Sequence, residues 1–247
     1  MKLLIFDVRG KYAHFRKFYT NSSSLTYSIP PRTTIIGMIA AILGYERDSY
    51  YQVFSKENCG VALRKISKNR KIMQTVNYIK ADSIKLIYNP ENHTQIPFEI
   101  ITSDDEIVYR IYVTHKDESI INNLKERIES KKYFYAPYLG AAPFNCSTEY
   151  IDYINCDLEE VTEEIDVHSV VDNECIVENS IDIFSEAKIF IREKMPCDIE
   201  GDRIVKSVKS YLLEDEGKPI KMKLNGKFIS AIYKDNDIIK KENIVFM

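Results

Sequence analysis

The segment from Thr33 to Leu43 cannot sit at a surface. Ile35, Ile36, Met38, Ile39, Ile42 and Leu43 leave it almost no polar side, so a helix built from it has to be buried. Its boundaries are written into the chain. Pro30 and Pro31 hold the preceding backbone out of the α region. Thr33 and Thr34 can accept hydrogen bonds from free N–H groups at the helix start, and Gly44 suits the left-handed residue that closes a helix. Gly37, Ala40 and Ala41 allow close approach to a neighbour. The run is too short to span a membrane. Arg32 at the N-terminus adds positive charge to free N–H groups, an arrangement suited to an anion. A capped core helix that binds nothing is the plainer reading.

Around this helix the chain divides into charge blocks that its net charge of −3 conceals. Residues 1–80 hold fourteen Lys or Arg against four Asp or Glu, an excess of ten. Residues 133–187 hold thirteen Asp or Glu and no Lys or Arg. The basic block points to a polyanion, most simply nucleic acid, and the acidic block to solvent or a basic protein. Two clusters sharpen the reading. From Arg9 to Tyr19, cations (Arg9, Lys11, Arg16, Lys17) alternate with aromatics, a pattern that suits phosphates and unstacked bases. Arg64, Lys65, Lys68, Arg70 and Lys71 form a dense second cluster, followed by Gln74 and Asn77, whose amides can meet base edges or sugar hydroxyls. Solvated loops explain either cluster equally well.

A third group carries potential chemistry. His115 with Lys116 and Tyr45 (or Tyr51) is a candidate set for metal-independent RNA cleavage, the imidazole moving a proton and the lysine stabilising phosphorane charge. A strand-end histidine beside a solvated lysine is the simpler account. No phosphate-binding glycine loop or H-x-x-x-H occurs, and none of the five cysteines is at C-x-x-C spacing, so no metal, cofactor or disulfide framework is expected. A reducing cytoplasm fits that cysteine usage.

Hydrophobic patterning predicts strand (Leu3–Val8), helix (Thr33–Leu43), strand (Gly60–Ser67), strand (Ile107–His115), helix (Asp117–Glu129) and strand (about Cys146–Tyr153). This is the order of a ferredoxin-like, RRM-like α+β domain. Residues 67–102 form an insertion, with an excursion from Lys80 to Asn92. A short helix is expected over Tyr50–Ser55. The domain is expected over residues 1–155, followed by a β-rich C-terminal region over 156–247, with turns at Gly201-Asp202 and an Asn225-Gly226 hairpin.

Four runs together resemble a known family. They are Gly10-Lys11-Tyr12-Ala13-His14-Phe15-Arg16, Ser24-Leu25-Thr26-Tyr27, Pro30-Pro31-Arg32-Thr33-Thr34-Ile35-Ile36-Gly37 with Leu43-Gly44, and Tyr135-Ala136-Pro137-Tyr138-Leu139-Gly140. They resemble the fifth numbered family of CRISPR-associated (Cas) proteins, in the RAMP superfamily, over roughly residues 1–140. Asp48-Ser49-Tyr50-Tyr51 and Gln74-Thr75-Val76-Asn77-Tyr78 resemble its type I-B branch. The resemblance implies a subunit of the Cascade surveillance complex in antiviral defence, capping the 5′ handle of the CRISPR RNA. It also implies a thumb at residues 67–102 and the backbone and large subunits as neighbours. Target DNA is met through the complex, and no membrane is involved. In the type I-C branch the family is itself the processing nuclease, and Tyr-Leu-Gly continues as Cys-Arg-Glu-Phe; here it continues as Ala141-Ala142-Pro143-Phe144. Charge pattern and resemblance together place RNA contacts at Arg9, Lys11, Tyr12, His14, Arg16, Tyr27, Arg32, Thr33, Thr34, Arg64, Lys65, Lys68, Arg70, Lys71, Gln74 and Asn77. The expectation is RNA binding without catalysis. An endoribonuclease using Tyr45, His115 and Lys116 is the alternative, and a pure protein scaffold would leave the basic block unexplained.

Overall fold

The computed structural model describes residues 1–81, 83–90, 92–181 and 188–247. Its elements run β1 (Lys2–Ala13), α1 (Arg32–Leu43), β2 (Cys59–Lys65), β3 (Arg70–Ile79), α2 (Ile84–Tyr88), β4 (His93–His115), α3 (Glu118–Ser130) and β5 (Ser147–Asn155). Short strands β6 (Glu159–Glu160), β7 (Ile165–Val167) and β8 (Val171–Asp172) follow. Then come β9 (Phe190–Glu200), β10 (Ile204–Glu214), β11 (Ile220–Met222), β12 (Lys227–Asp235) and β13 (Ile238–Ile244). The first sheet has strand order β2-β4-β1-β5, antiparallel throughout. The β11-β7-β13-β12-β6 and β8-β10-β9 sheets make up the rest.

Side-chain alternation along β1, β2 and β4 explains how these layers stack. Leu4, Phe6, Val8, Val61, Leu63, Ile111 and Val113 face α1 and α3, where Ile35, Ile39, Ile42, Ile121, Leu124 and Ile128 complete one core. The residues between them, Leu3, Ile5, Ala62 and Tyr112, face the opposite way and meet Ile229, Ala231, Tyr233 and Ile244 of β12 and β13. An RRM stacks bases on an open sheet face; here both faces are covered.

Local structure departs from the sequence expectations at four places. α1 begins at Arg32, with Pro31 at the N-cap and no side-chain cap. Thr33 and Thr34 therefore lie inside the first turn and cap nothing. Gly44 does close the helix at φ 88°, its N–H bonding Ala40 O and Ala41 O. Tyr50–Ser55 is a series of turns, with one helical hydrogen bond from Phe54 N to Tyr50 O. One bond does not offset the cost of nucleating a helix, and Tyr51 and Phe54 are buried instead. The strand expected over 107–115 is the second part of one strand, β4, of 23 residues, which begins inside the expected insertion. Its first half pairs β3 from Arg70↔Thr102 out to Ile79↔His93, and its second half pairs β1 and β2. The insertion is thus a projecting hairpin; positions 82 and 91 in it lie outside the described residues. Finally, Asn225-Gly226 makes no hairpin, because β11 pairs β7 while β12 pairs β13 and β6. The tight two-residue turn is Asn236-Asp237, at φ 47° and 67°, between the paired Asp235 and Ile238, the geometry a twisted hairpin prefers. The turn expected at Gly201-Asp202 does join β9 to β10.

Candidate nucleic-acid interface

The basic block is largely neutralised inside the molecule, by carboxylates distant in sequence. Arg9 Nε lies 2.7 Å from Glu149, Lys17 Nζ 3.4 Å from Glu193, and Lys65 Nζ 2.9 Å from Asp215. Lys68 pairs with Glu216 at 2.5 Å, Arg70 with Asp104 at 3.5 Å, and Arg64 with Glu242. Lys71 donates to Thr26 O at 2.8 Å and sits 3.6 Å from Glu99. Of these partners Glu149 alone comes from the acidic block, while Glu193, Asp215, Glu216 and Glu242 come from the chain beyond it, so the counter-ions of the basic block are mainly C-terminal. Residues 182–187 of the acidic block lie outside the described residues.

Arg32 is the clearest departure from expectation. It is fully buried, and its guanidinium donates to Phe54 O (3.0 Å), Cys59 O (2.8 Å) and Cys197 O (3.3 Å), with Asp198 3.5 Å away. A planar fork with several donors suits this role, and the geometry leaves Arg32 no surface to offer a phosphate. Lys65 is likewise buried and tied to Asp215. Tyr27 is buried, and burial raises its phenol well above the ordinary value.

His14 is also interior. Its Nδ1–H donates to Glu99 O at 2.7 Å, Nε2 is 3.0 Å from Ser24 Oγ, and Phe98 stacks on the ring at 4.0 Å. Burial pushes its pKa down. His14 therefore joins the hairpin root to the arm around Ser24, where Ser24 N bonds Pro97 O and Glu99 N bonds Ser24 O. Gln74 and Asn77 are both exposed. Being three apart on β3, they point to opposite sides of the hairpin and do not serve one surface.

What remains outside is a smaller constellation. Lys11 and Arg16 are exposed and, among the described residues, make no ion pair. Tyr12 is half-exposed, with Phe144 beside it at 6.1 Å, and Phe144 in turn meets Phe98 at 6.4 Å. Phe18 and Tyr19 are exposed in the adjoining loop, edge to face at 5.3 Å. Arg70 and Gln74 lie on the same side of the hairpin as Phe98, which pairs with Gln74 across the strands. Phe98 and Phe144 carried no signal in sequence, because only folding brings them to Tyr12.

The segment Tyr135–Gly140 fixes this surface. His14 N bonds Leu139 O at 3.1 Å. Gly140 sits at φ 81°, where a Cβ would lie 2.1 Å from His14 O, so only glycine permits the crossing. Upstream, Phe134 N and Tyr135 N bond Ile42 O and Ala41 O, supplying partners for the last carbonyls of α1. Beside it lies a cleft of about 210 Å³ bordered by Thr33, Thr34, Gly37, Tyr50 and Tyr138.

Of the candidate set His115, Lys116 and Tyr45, the histidine and the tyrosine both pack against the ring of Phe54. Both ring nitrogens of His115 are engaged: Nε2 lies 2.9 Å from Val53 O, and Nδ1 accepts from Asp117 N at 2.9 Å. Tyr45 lies against Phe54 at 5.4 Å, and His115 meets the same ring at 5.6 Å. Burial raises the Tyr45 phenol, and Lys116 is exposed. Among the described residues no cluster of His, Cys, Asp or Glu is arranged for a metal, and no helix is long and apolar enough to cross a membrane.

Comparison with known proteins adds a family. The family model described as CRISPR-associated protein (Cas_Cas5) matches residues 3–196. No curated protein sequence matches the chain. A CRISPR protein from Archaeoglobus fulgidus is similar in fold at 12% identity, with TM-score 0.56 over 100% of this chain and 99% of that one. A chain of a CRISPR RNA-guided surveillance complex aligns at 14% identity and TM-score 0.50, over 90% and 91% of the two chains. A chain of the type III-B Cmr-beta complex bound to cognate target RNA and AMPPnP aligns at 11% identity and TM-score 0.52, over 88% and 86%.

Proposed function

The chain belongs to the Cas5 family of CRISPR-associated proteins, and from that premise we propose that it is a non-catalytic, CRISPR RNA-binding subunit of a surveillance complex. The observation that carries this reading is that Lys11, Tyr12, Arg16, Phe18 and Tyr19 all stay exposed along one stretch of the chain, cations for phosphates and open aromatic faces for bases. We read the β1-α1-β2-β4-α3-β5 order as a ferredoxin-like domain and the β3–β4 hairpin as its thumb. Within the complex the protein caps the 5′ handle as a type I-B subunit, in the cytoplasm. Its neighbours are the backbone and large subunits, and it meets target DNA only through them. The nearby fold of a surveillance-complex chain supports membership of such an assembly. The engaged ring nitrogens of His115 support binding over cleavage, because a general base needs a free nitrogen within reach of the hydroxyl it deprotonates.

The test is to incubate the purified protein with CRISPR repeat RNA. It should shift the RNA on a native gel and leave it intact, with and without divalent metal. Affinity should fall with salt at a log–log slope of about −0.7 per phosphate contacted, and Lys11→Glu with Arg16→Glu should weaken binding. Site-specific cutting abolished by His115→Ala would establish the endoribonuclease instead; salt-independent binding would remove the interface.

A further inference from the structure

We propose that the outer face of the β12–β13 hairpin docks an acidic segment with an apolar centre, carried by another protein subunit of the assembly. The inference rests on the functional reading above and adds a place where the chain is held by a protein partner. The hairpin is anchored from one side. Ile229, Ala231, Tyr233 and Ile244 turn inward onto the back of the first sheet, and Arg110 meets Tyr233 Oη and Asp235, each at 2.8 Å. Lys240 joins the same network, its Nζ 2.6 Å from Asp235. The alternate residues of the two strands therefore point outward from a fixed support.

These outward residues include large aliphatic side chains left in water. Ile232 is 57% exposed and Ile239 77%. The strand register sets Ile232 opposite Lys241 and Ile239 opposite Lys234. The isoleucines thus occupy one diagonal of a four-residue block and the two exposed lysines the other. Diagonal neighbours on one face of a strand pair lie within reach of long side chains, so the two isoleucines form one apolar spot. Ile238, beside the Asn236-Asp237 turn, is 63% exposed as well. Exposed apolar residues scattered singly are ordinary, whereas a cluster rimmed by charge marks an interaction site. Strand propensity does not account for the pair, since threonine satisfies it too and leaves less apolar surface in water.

Charge selects the occupant. Ser230, Ile232 and Lys234 of β12 and Ile239, Lys241 and Asn243 of β13 share the outer face, and none of them is acidic. Lys234 is 2.5 Å from Asp237 in the turn, while Lys241 makes no ion pair among the described residues. A basic rim selects an acidic partner, and the aliphatic centre selects apolar side chains. Single-stranded nucleic acid is bound on aromatic stacking platforms, and these six residues include no aromatic. A second copy presenting the same face would set lysine against lysine, which like-charge repulsion opposes.

The experiment uses the full chain co-expressed with a CRISPR RNA and the other protein subunits of its assembly, with a photo-crosslinking amino acid in place of Ile239. Irradiation should join position 239 to one protein subunit, at a segment whose apolar residues are flanked by Asp or Glu. Ile232→Thr with Ile239→Thr keeps strand propensity, and that variant should melt at the unaltered protein's temperature and shift CRISPR RNA as before. Its recovery in the assembly should nonetheless fall about tenfold, the scale of losing an anchor residue. Lys234→Glu with Lys241→Glu should lower recovery too, and high salt should reproduce that loss. A crosslink to RNA, to a second copy, to a segment lacking Asp and Glu or to no partner would overturn the inference, as would undiminished recovery of the double threonine variant; RNA binding would stand in each case. If the unaltered protein neither binds the RNA nor enters an assembly, the functional reading itself is overturned.

Discussion

His14 shows how far a residue's role depends on what surrounds it. Between cations and aromatics in sequence it belongs to a nucleic-acid surface; in the fold it is sealed between Glu99 O, Ser24 Oγ and the Phe98 ring. Burial holds its pKa below the ordinary 6.5, opposed in part by Glu99 and reinforced by Arg16. Below pH 6.5 the unfolded chain therefore binds more protons at this site than the folded one, and stability is lost as pH falls through that value towards the folded-state pKa. His168 is lowered for the same reason and acts in the same direction. The melting temperature should drop between pH 7.5 and 5.5, and His14→Gln should make that drop smaller. An unchanged pH profile in His14→Gln would show that the imidazole is not held neutral by its surroundings. Arg32 is the companion case, a charge read as available that instead organises three backbone carbonyls.

At the scale of elements, the hairpin of β3 and the first half of β4 stands apart. Outward from Met73 its side chains are mostly exposed, and its ladder is closed within itself from Val76↔Ile96 outward. Its root is different: Lys71 reaches Thr26 O, and Phe98 packs on His14. Joining Thr75 to Pro97 through an Asn-Gly turn should therefore leave the urea midpoint of unfolding close to that of the full chain. RNA retention should weaken if the hairpin is a thumb. A collapse of stability would show that the outer hairpin supports the core. α1 is the opposite kind of element, surrounded because it has no polar side. Its cover comes from β1 and α3 and also from β9, whose Met195 joins the same core and whose Cys197 O accepts from Arg32.

Across the whole molecule, the C-terminal strands cover one face of the first sheet. Arg110 of β4 holds Asp7 through Nε (2.7 Å) and Nη2 (2.9 Å), and its Nη1 meets Tyr233 Oη and Asp235, each at 2.8 Å. Beside this network Leu3, Ile5, Ala62 and Tyr112 pack on Ile229, Ala231 and Ile244. A fragment of residues 1–155 would expose that apolar face and leave the Asp7–Arg110 pair without half its partners. Stranding part of a buried charge network typically costs about 3–5 kcal/mol. The fragment should aggregate or unfold without a cooperative transition, and soluble cooperative folding of 1–155 would show that the regions are separable.

This coupling also marks the boundary between what was legible in sequence and what was not. The apolar run from Ile35 to Leu43, the helical spacing of Ile121, Leu124 and Ile128, and the alternation in Leu3–Val8 and Ile107–His115 are local patterns. They fix which elements form and in what order, because an apolar face must be buried wherever the chain goes. Family resemblance was legible for a related reason: Gly140 and Gly44 are required by backbone geometry at φ 81° and 88°, and no other residue substitutes cheaply. The availability of a charge has no local signature. Whether Arg32, Lys65 or Arg64 faces a phosphate or a carboxylate depends on Asp198, Asp215 and Glu242, which lie more than a hundred residues along the chain. Electrostatic partners are set by distance in space, and only the packing of β9 through β13 onto the first sheet decided that most of the basic block is spent inside the fold while Lys11 and Arg16 are left at its surface.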